Sequence, residues 1–189
     1  ALARRLKDPH AADWYREQYL KISNALTMHW SEQKGYLQAT LQRVNGIDYK
    51  SHLDASIVLA SLYAHNDEDP YYPPYHDHVI ATAYQLIKRF KMLFPINHKT
   101  SKMPMMGRYP EDRYDGYQTG RSGNPWFLLT HAFAEYYYRL AMRWIETPQI
   151  NITSHNKLFI ESLLNQEARG SVALYSVITP HHKTYDSII

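Results

Sequence analysis

The chain is 189 residues and 22.3 kDa, with 21 basic against 18 acidic side chains for a formal +3 and 44% hydrophobic residues, the arithmetic of one domain around one core. The small positive surplus, with no run of Lys or Arg longer than two, excludes a backbone-neutralising nucleic-acid surface, and no stretch reaches the ~18 consecutive apolar residues of a membrane span. The absence of cysteine removes disulfides, thiolate metal sites and cysteine nucleophiles, and the first residues lack the order of a signal peptide. Seventeen tyrosines contribute to the hydrophobic count, and a tyrosine accepts burial when its hydroxyl finds a partner, so a wet core is expected.

Asp8-Pro9 has the form of a helix N-cap followed by proline at the first helical position. Tyr15, Tyr19, Ile22, Leu26 and Trp30 then recur at helical spacing and predict a helix of about 20 residues. Gly35 interrupts it, and residues 33–49 read as a connection. A second helix is expected from near Ser51. Leu53, Ile57, Ala60 and Ala64 mark one stripe, and Val58, Leu59 and Leu62 widen it until burial on two sides is expected. Asn66 to Pro74 is an acidic connection bearing Pro70, Pro73 and Pro74. Tyr75, Val79, Ala83, Leu86, Phe90 and Leu93 predict a third helix, which Pro95 stops. Residues 96–123 form a long loop holding Tyr109, Tyr114 and Tyr117 beside Arg108, Glu111, Asp112 and Arg113, the composition of an ordered loop with a task. Asn124-Pro125 repeats the cap-then-proline signal and opens a fourth helix, with Phe127, His131, Ala134, Tyr138, Ala141 and Ile145 on one face. Thr153 or Ser154 caps a short fifth helix through Leu158 and Ser162, Val172 to Ile178 has strand-like composition, and Thr184 starts a sixth helix. Long helices joined by long loops, with too little strand for a sheet, make the class all-α, the helices paired in layers.

The sequence holds no Gly-rich phosphate loop, no nucleophile elbow and no His-Glu-x-x-His zinc helix, and it implies no cofactor. His76-Asp77-His78 has the residue types of a metal site, but adjacent side chains diverge on a helix, so it reads as a solvated helix start without a metal. His131 reads as a packed core residue. Asn151-Ile152-Thr153 is a sequon, able to carry sugar in a secretory pathway. The informative segment is Gly107-Arg108-Tyr109-Pro110-Glu111-Asp112, followed after a tyrosine-rich insert by Gly123-Asn124-Pro125-Trp126-Phe127. Arg108 presents a rigid fork of donors and Asp112 a pair of acceptors, which together fit vicinal sugar hydroxyls, while Tyr109 or Trp126 offers an apolar ring face. The same residues also read as a loop that pins itself, Arg108 to Asp112, stiffened by Pro110.

These two segments closely resemble the paired signatures of the glucoamylases, glycoside hydrolase family 15, whose loop reads Gly-Arg-Tyr-Pro-Glu-Asp and whose next helix opens Gly-Asn-Pro-Trp-Phe-Leu. Leu26 to Gly35, Lys50-Ser51 with Leu53-Asp54, and Phe94-Pro95-Ile96-Asn97 resemble further stretches of the family, whereas residues 166–180 match poorly. The resemblance implies part of an (α/α)6 barrel whose loops at one end form a pocket. That pocket takes the non-reducing end of starch, glycogen or maltooligosaccharides and releases glucose with inversion. Arg108 and Asp112 are then substrate-binding, with Tyr109 beside them and Trp126 at or just behind the pocket. A secreted protein is expected, with vacuolar and intracellular relatives as alternatives.

An inverting glycosidase sets a protonating acid and a water-activating carboxylate roughly 6.5–9.5 Å apart. The resemblance places the acid after a Trp-Glu-Glu type stretch upstream of residue 1 and the base in a Ser-Glu-Gln type stretch downstream of residue 189. The look-alike Trp30-Ser31-Glu32-Gln33 falls at a solvent-facing helix end. Residues 1–189 are therefore expected to be the central portion of one catalytic domain, truncated at both ends, with no catalytic residue of its own and the missing remainder as partner. Three roles stay open: the sugar-binding wall of a hydrolase pocket, an inactive remnant that still binds oligosaccharide, or a structural piece that associates through uncovered helix faces.

Overall fold

A computed structural model describes residues 2–41, 50–64, 71–99, 103–120, 122–167 and 177–178. After one helical turn, α1 (Leu2–Arg5), Asp8 starts α2 (Pro9–Thr27) as its chemistry dictates: Oδ1 accepts the N–H of Ala11 at 2.9 Å, and Pro9 needs no partner at the first helical position. The helix has the predicted length, yet no residue of it is buried, and Tyr15, Tyr19 and Ile22 are exposed. Periodicity identifies an apolar stripe, but the described residues that meet it, α1 and Tyr71, leave most of it exposed.

Trp30 has left the helix for β1 (Trp30–Ser31), which pairs antiparallel with β2 (Tyr36–Leu37), Trp30 opposite Leu37. The turn between them passes through Gly35 at φ 69°, where only glycine sits without strain. Tyr36 is buried and its hydroxyl donates to the Ser51 carbonyl at 2.9 Å, as tyrosine burial requires. Tyr136 is the exception, fully buried with no hydroxyl partner among the described residues.

α3 (Ser56–Ala64) begins later than the sequence predicts. Residues 51–55 are held instead by the long loop: Ser51 N–H donates to Glu111 Oε1 at 3.2 Å and Ala55 N–H to the Arg108 carbonyl at 2.8 Å. Asp54 Oδ1 then accepts the Ser56 N–H at 2.8 Å and starts the helix. α3 packs on both α4 (Asp77–Leu93) and α5 (Phe127–Glu146) as expected, but it does so through Val58, Ser61 and Leu62, while Ala60 and Ala64 of the predicted stripe are exposed. Val58 and Leu62 of α3 meet Val79, Ile80, Ala83, Leu86 and Phe90 of α4 in one core. Thr82 joins this helix to the hairpin, accepting the Leu37 N–H at 2.9 Å.

Proline ends α4 as predicted, but the chain continues as a 3-10 turn, Pro95–Lys99, before the loop proper. Asn97, buried within that turn, donates through Nδ2 to the carbonyls of Phe90 (2.9 Å) and Met105 (3.0 Å) and accepts the Met105 N–H at 2.8 Å. Asn97→Ala leaves these backbone groups without their partners and is expected to cost about 2 kcal/mol, measured as a lowered urea midpoint. An unchanged midpoint would show that the clasp is ornamental.

α5 corrects two expectations. Asn124 does not cap it, because its Nδ2 donates to the Asp115 carbonyl at 2.7 Å; Trp126 takes the cap position without a side-chain bond. The inward face is Leu129, Ala132, Phe133, Tyr136, Leu140 and Trp144, whereas Phe127 (76% exposed) and Tyr138 (74%) face out, and His131 is exposed rather than packed. Both stripes have helical spacing, and the neighbours α3 and the buried loop residue Met106 select one. Beyond α5, β3 (Ile150–Asn151) pairs antiparallel with β4 (Val177–Ile178), and α6 (Lys157–Glu167) packs on α4. Most of the strand-like stretch from Val172, and the helix expected at Thr184, lie outside the described residues.

Candidate functional site

Two glycines determine where the Gly107–Asp112 loop runs. A Cβ at Gly107 would stand 2.7 Å from Phe90 Cε1 and 2.8 Å from Phe94 Cζ, so the backbone lies directly on the stacked Phe90–Phe94 pair at the end of α4. A Cβ at Gly123 would stand 2.8 Å from Asp112 Cβ and 2.9 Å from its carbonyl oxygen, which accepts the Gly123 N–H at 2.8 Å. Between them Asp112 N–H donates to the Tyr109 carbonyl at 3.1 Å, a turn that brings Arg108 and Asp112 side by side.

The pair is bidentate: Arg108 Nε donates to Asp112 Oδ2 and Nη2 to Oδ1, each at 2.6 Å. Asp112 Oδ1 also accepts the Tyr114 N–H at 3.1 Å. The Asp112 side chain is 5% exposed and that of Arg108 40%, so the carboxylate is the buried anchor and the guanidinium the exposed face. Burial raises the carboxyl's proton affinity, but the Arg108 bonds, the Tyr114 N–H and the guanidinium charge outweigh it and hold Asp112 below its ordinary value. The bond to Asp112 likewise raises Arg108, against burial.

Rings surround the guanidinium. Its carbon lies 5.6 Å from the Tyr109 ring centre, 5.3 Å from Tyr114 and 5.6 Å from Trp126, within cation–π range. Tyr114 and Trp126 are themselves stacked at 5.9 Å, and Lys50 Nζ stands 4.1 Å over the other ring, Tyr109. Arg108, Tyr109 and Trp126 line a cleft of about 380 Å³ together with Asp54, Ser56 and Leu59 of the α3 start. The four residues singled out in the sequence are therefore contiguous. Tyr114 joins them unannounced; its signal, a tyrosine two residues past Asp112 in a tyrosine-rich loop, is legible only once Asp112 is known to turn inward. The geometry can hold a polar, ring-shaped molecule: donors on Arg108 Nη1 that no described residue takes, beside flat aromatic faces.

A second cluster overturns the reading of His76-Asp77-His78 as a solvated helix start. His76 caps α4, its Nδ1 accepting the His78 N–H at 3.1 Å. His78 stacks on Trp30 at 3.7 Å and 6°, with His155 edge-on to both, at 5.1 Å from His78 and 5.0 Å from Trp30. Asp77 accepts from Thr153 Oγ1 (2.7 Å) and Asn156 Nδ2 (2.9 Å). Burial, then the neighbouring His76 and His155, push His78 down to about 4 against the opposing pull of Glu32 and Asp77. Burial also lowers His76. No group of three His, Cys, Asp or Glu among the described residues is placed to hold a metal ion, and no described helix is long and apolar enough to cross a membrane.

The sequence model of "Glycosyl hydrolases family 15" matches residues 1–189. Among curated proteins the chain is 32% identical over 171 residues to "Glucoamylase 1" of Rhizopus oryzae, covering 89% of this chain and 28% of that protein. It is 30% identical over 185 residues to "Probable glucoamylase" of Schizosaccharomyces pombe, covering 98% and 37%. The chain thus spans well under half the length of these relatives. Its fold superposes on a "Glycoside Hydrolase Family 15 Glucoamylase from Hypocrea jecorina" with a TM-score of 0.78 at 23% identity, covering 99% of this chain and 29% of that one. The glucoamylase of Saccharomycopsis fibuligera gives the same score at 20% identity, covering 99% and 40%. The helices described above are accordingly part of an (α/α)6 barrel, and the chain belongs to glycosyl hydrolases family 15.

Proposed function

We propose that this chain is the central portion of one catalytic domain that hydrolyses starch, glycogen or maltooligosaccharides, releasing glucose from non-reducing ends with inversion. Arg108, Asp112, Tyr109 and Trp126 form its sugar-binding wall. Arg108 meets the sugar hydroxyls with its exposed donors, Asp112 holds the fork in place, and the rings of Tyr109 and Trp126 pack against an apolar sugar face. The observation that carries this reading is the clamp itself: a buried carboxylate aligning a partly exposed guanidinium among aromatic rings at the mouth of a cleft.

The catalytic acid and base come from the remainder of the domain. In support, the carboxylates beside the cleft are already engaged: Asp54 with the Ser56 N–H, Glu111 with the Ser51 N–H, and Asp112 with Arg108. Glu32, of the Ser-Glu-Gln look-alike, stands instead near His78 at the start of α4, whereas Gly107 lies at that helix's far end, beside Phe90. The purified chain is expected to release no glucose from maltoheptaose while retaining helical circular dichroism. Release that Arg108→Ala abolishes would overturn this and put a catalytic carboxylate within residues 1–189.

A second reading, an inactive chain that binds oligosaccharide by itself, draws support from the clamp being complete without the remainder. Titration calorimetry of the chain with maltose tests this second reading, since absence of binding at millimolar sugar would end it. Secretion is the proposed location, while a relative named "Glucoamylase, intracellular sporulation-specific" in Saccharomyces cerevisiae marks the alternative.

A further inference from the structure

We propose that Asn151 is an N-glycosylation site, modified before the chain folds, whose glycan stands on the barrel face opposite the cleft. The sequence Asn151-Ile152-Thr153 supplies the acceptor triplet. Strand alternation in β3 sends the Ile150 side chain inward, where it is buried, and Asn151 outward, where it is exposed. Asn151 Oδ1 accepts from the exposed Gln149 Nε2 at 3.1 Å, and its Nδ2 has no partner among the described residues. A bulky hydrophilic substituent on that nitrogen meets solvent rather than protein.

Thr153 is placed oppositely. Its hydroxyl donates to Asp77 Oδ2 at 2.7 Å, and its N–H donates to Asn156 Oδ1 at 2.9 Å. Asn156 Nδ2 in turn reaches both Asp77 Oδ1 and the Asn151 carbonyl, each at 2.9 Å. The folded chain therefore ties the triplet's hydroxyl and backbone to the start of α4, and a transferase has access to them only before this clasp closes.

The transfer forms a bond from Asn151 Nδ2 to the anomeric carbon of a lipid pyrophosphate-linked oligosaccharide. The carbon–oxygen bond to pyrophosphate breaks, the lipid pyrophosphate leaves with the electron pair, and the amide nitrogen gives up one proton. Nothing is oxidised or reduced. Location keeps the glycan clear of sugar binding: α5 begins beside Trp126 at the cleft and its 20 residues run about 30 Å to the end that precedes Asn151.

The test is the full chain carrying a cleavable secretion leader, expressed in yeast, digested with an asparagine-cleaving glycosidase in heavy-oxygen water and mapped by mass spectrometry. Conversion of Asn151 to labelled aspartate is expected, absent in Asn151→Gln and Thr153→Ala and retained in part by Thr153→Ser. Secreted chain with unmodified Asn151 overturns the site. Asn151→Gln keeps the Thr153–Asp77 bond, so loss of label there is not a folding failure. A second arm needs no secretion: chain made in bacteria is offered to microsomal transferase either native or freshly diluted from urea. Modification of the unfolded chain alone is expected; no modification of it overturns the site, and equal modification of native chain overturns the order of events.

Discussion

Arg108→Ala in the complete hydrolase is expected to lower kcat/KM on maltoheptaose roughly ten- to a hundredfold, the equivalent of about 1.5–3 kcal/mol of charge-assisted hydrogen bonding to the sugar. In the proposed function the exposed side of the guanidinium makes that contact, while Asp112 aligns it through two 2.6 Å bonds. Two variants separate contact from alignment. Arg108→Lys keeps the charge but loses the planar fork, and is expected to recover a minor part of the activity. Asp112→Asn keeps a neutral acceptor and leaves Arg108 present but less rigidly held, so a smaller loss is expected, distributed between kcat and KM. Unchanged kinetics for Arg108→Ala would sink the assignment and leave the pair as a loop pin.

The same substitution has a structural consequence with a definite pH sign. Asp112 titrates below its ordinary value in the folded protein, so its contribution to stability is present above the unfolded carboxylate range and fades as pH falls through the folded value. Arg108→Ala removes the partner that keeps it low, and the variant is expected to lose stability at neutral pH while differing little from the parent under strongly acidic conditions. Equal midpoints at neutral pH would argue against it.

Acidification from pH 7 to about 4.5 is expected to destabilise the chain through the histidine cluster at the start of α4, by about 1 kcal/mol once solvent screening of the partly exposed ring is discounted. The folded state holds His78 at about 4, below its ordinary value of 6.5, and His76 also below its ordinary value, so it binds fewer protons than the unfolded chain. Stability from these groups is thus full above the unfolded histidine range and is lost as pH falls toward the folded value. Protonation would place a charge on a ring stacked 3.7 Å from Trp30, with His76 and His155 beside it at 4.9 and 5.1 Å. His78→Phe keeps a flat ring against Trp30 and removes the proton site, so its urea midpoint should fall less over this interval. Parallel pH dependence in parent and variant would show that other groups carry the acid sensitivity.

Local chemistry was readable wherever one segment decides its own conformation. Asp8 capping α2, Pro95 ending α4 and the Arg108-to-Asp112 turn each depend on residues within a few positions of one another, and sequence shows such neighbours directly. The all-α class followed from the same local signals. The non-helical run from Ser51 to Ala55 was not readable, because its hydrogen-bond partners include Glu111 and Arg108 in a different loop.

Burial was the least legible property. α5 has apolar stripes on two faces, and a helix period is satisfied by either; only the packing of α3 and of Met106 in the loop chose Phe133 and Tyr136 over Phe127 and Tyr138. His78 diverges from Asp77 on its helix as expected, yet it is sheltered by Trp30 and His155, which no spacing rule brings to it. By itself, then, the sequence determined the helical class, the start of α2, the stop of α4 and, by its two signatures, the family, since these reside in contiguous residues. Tertiary structure alone decided which faces are buried, which member of the Arg108–Asp112 pair is exposed and how the histidines are sheltered, because solvent exclusion is a property of what packs alongside a residue.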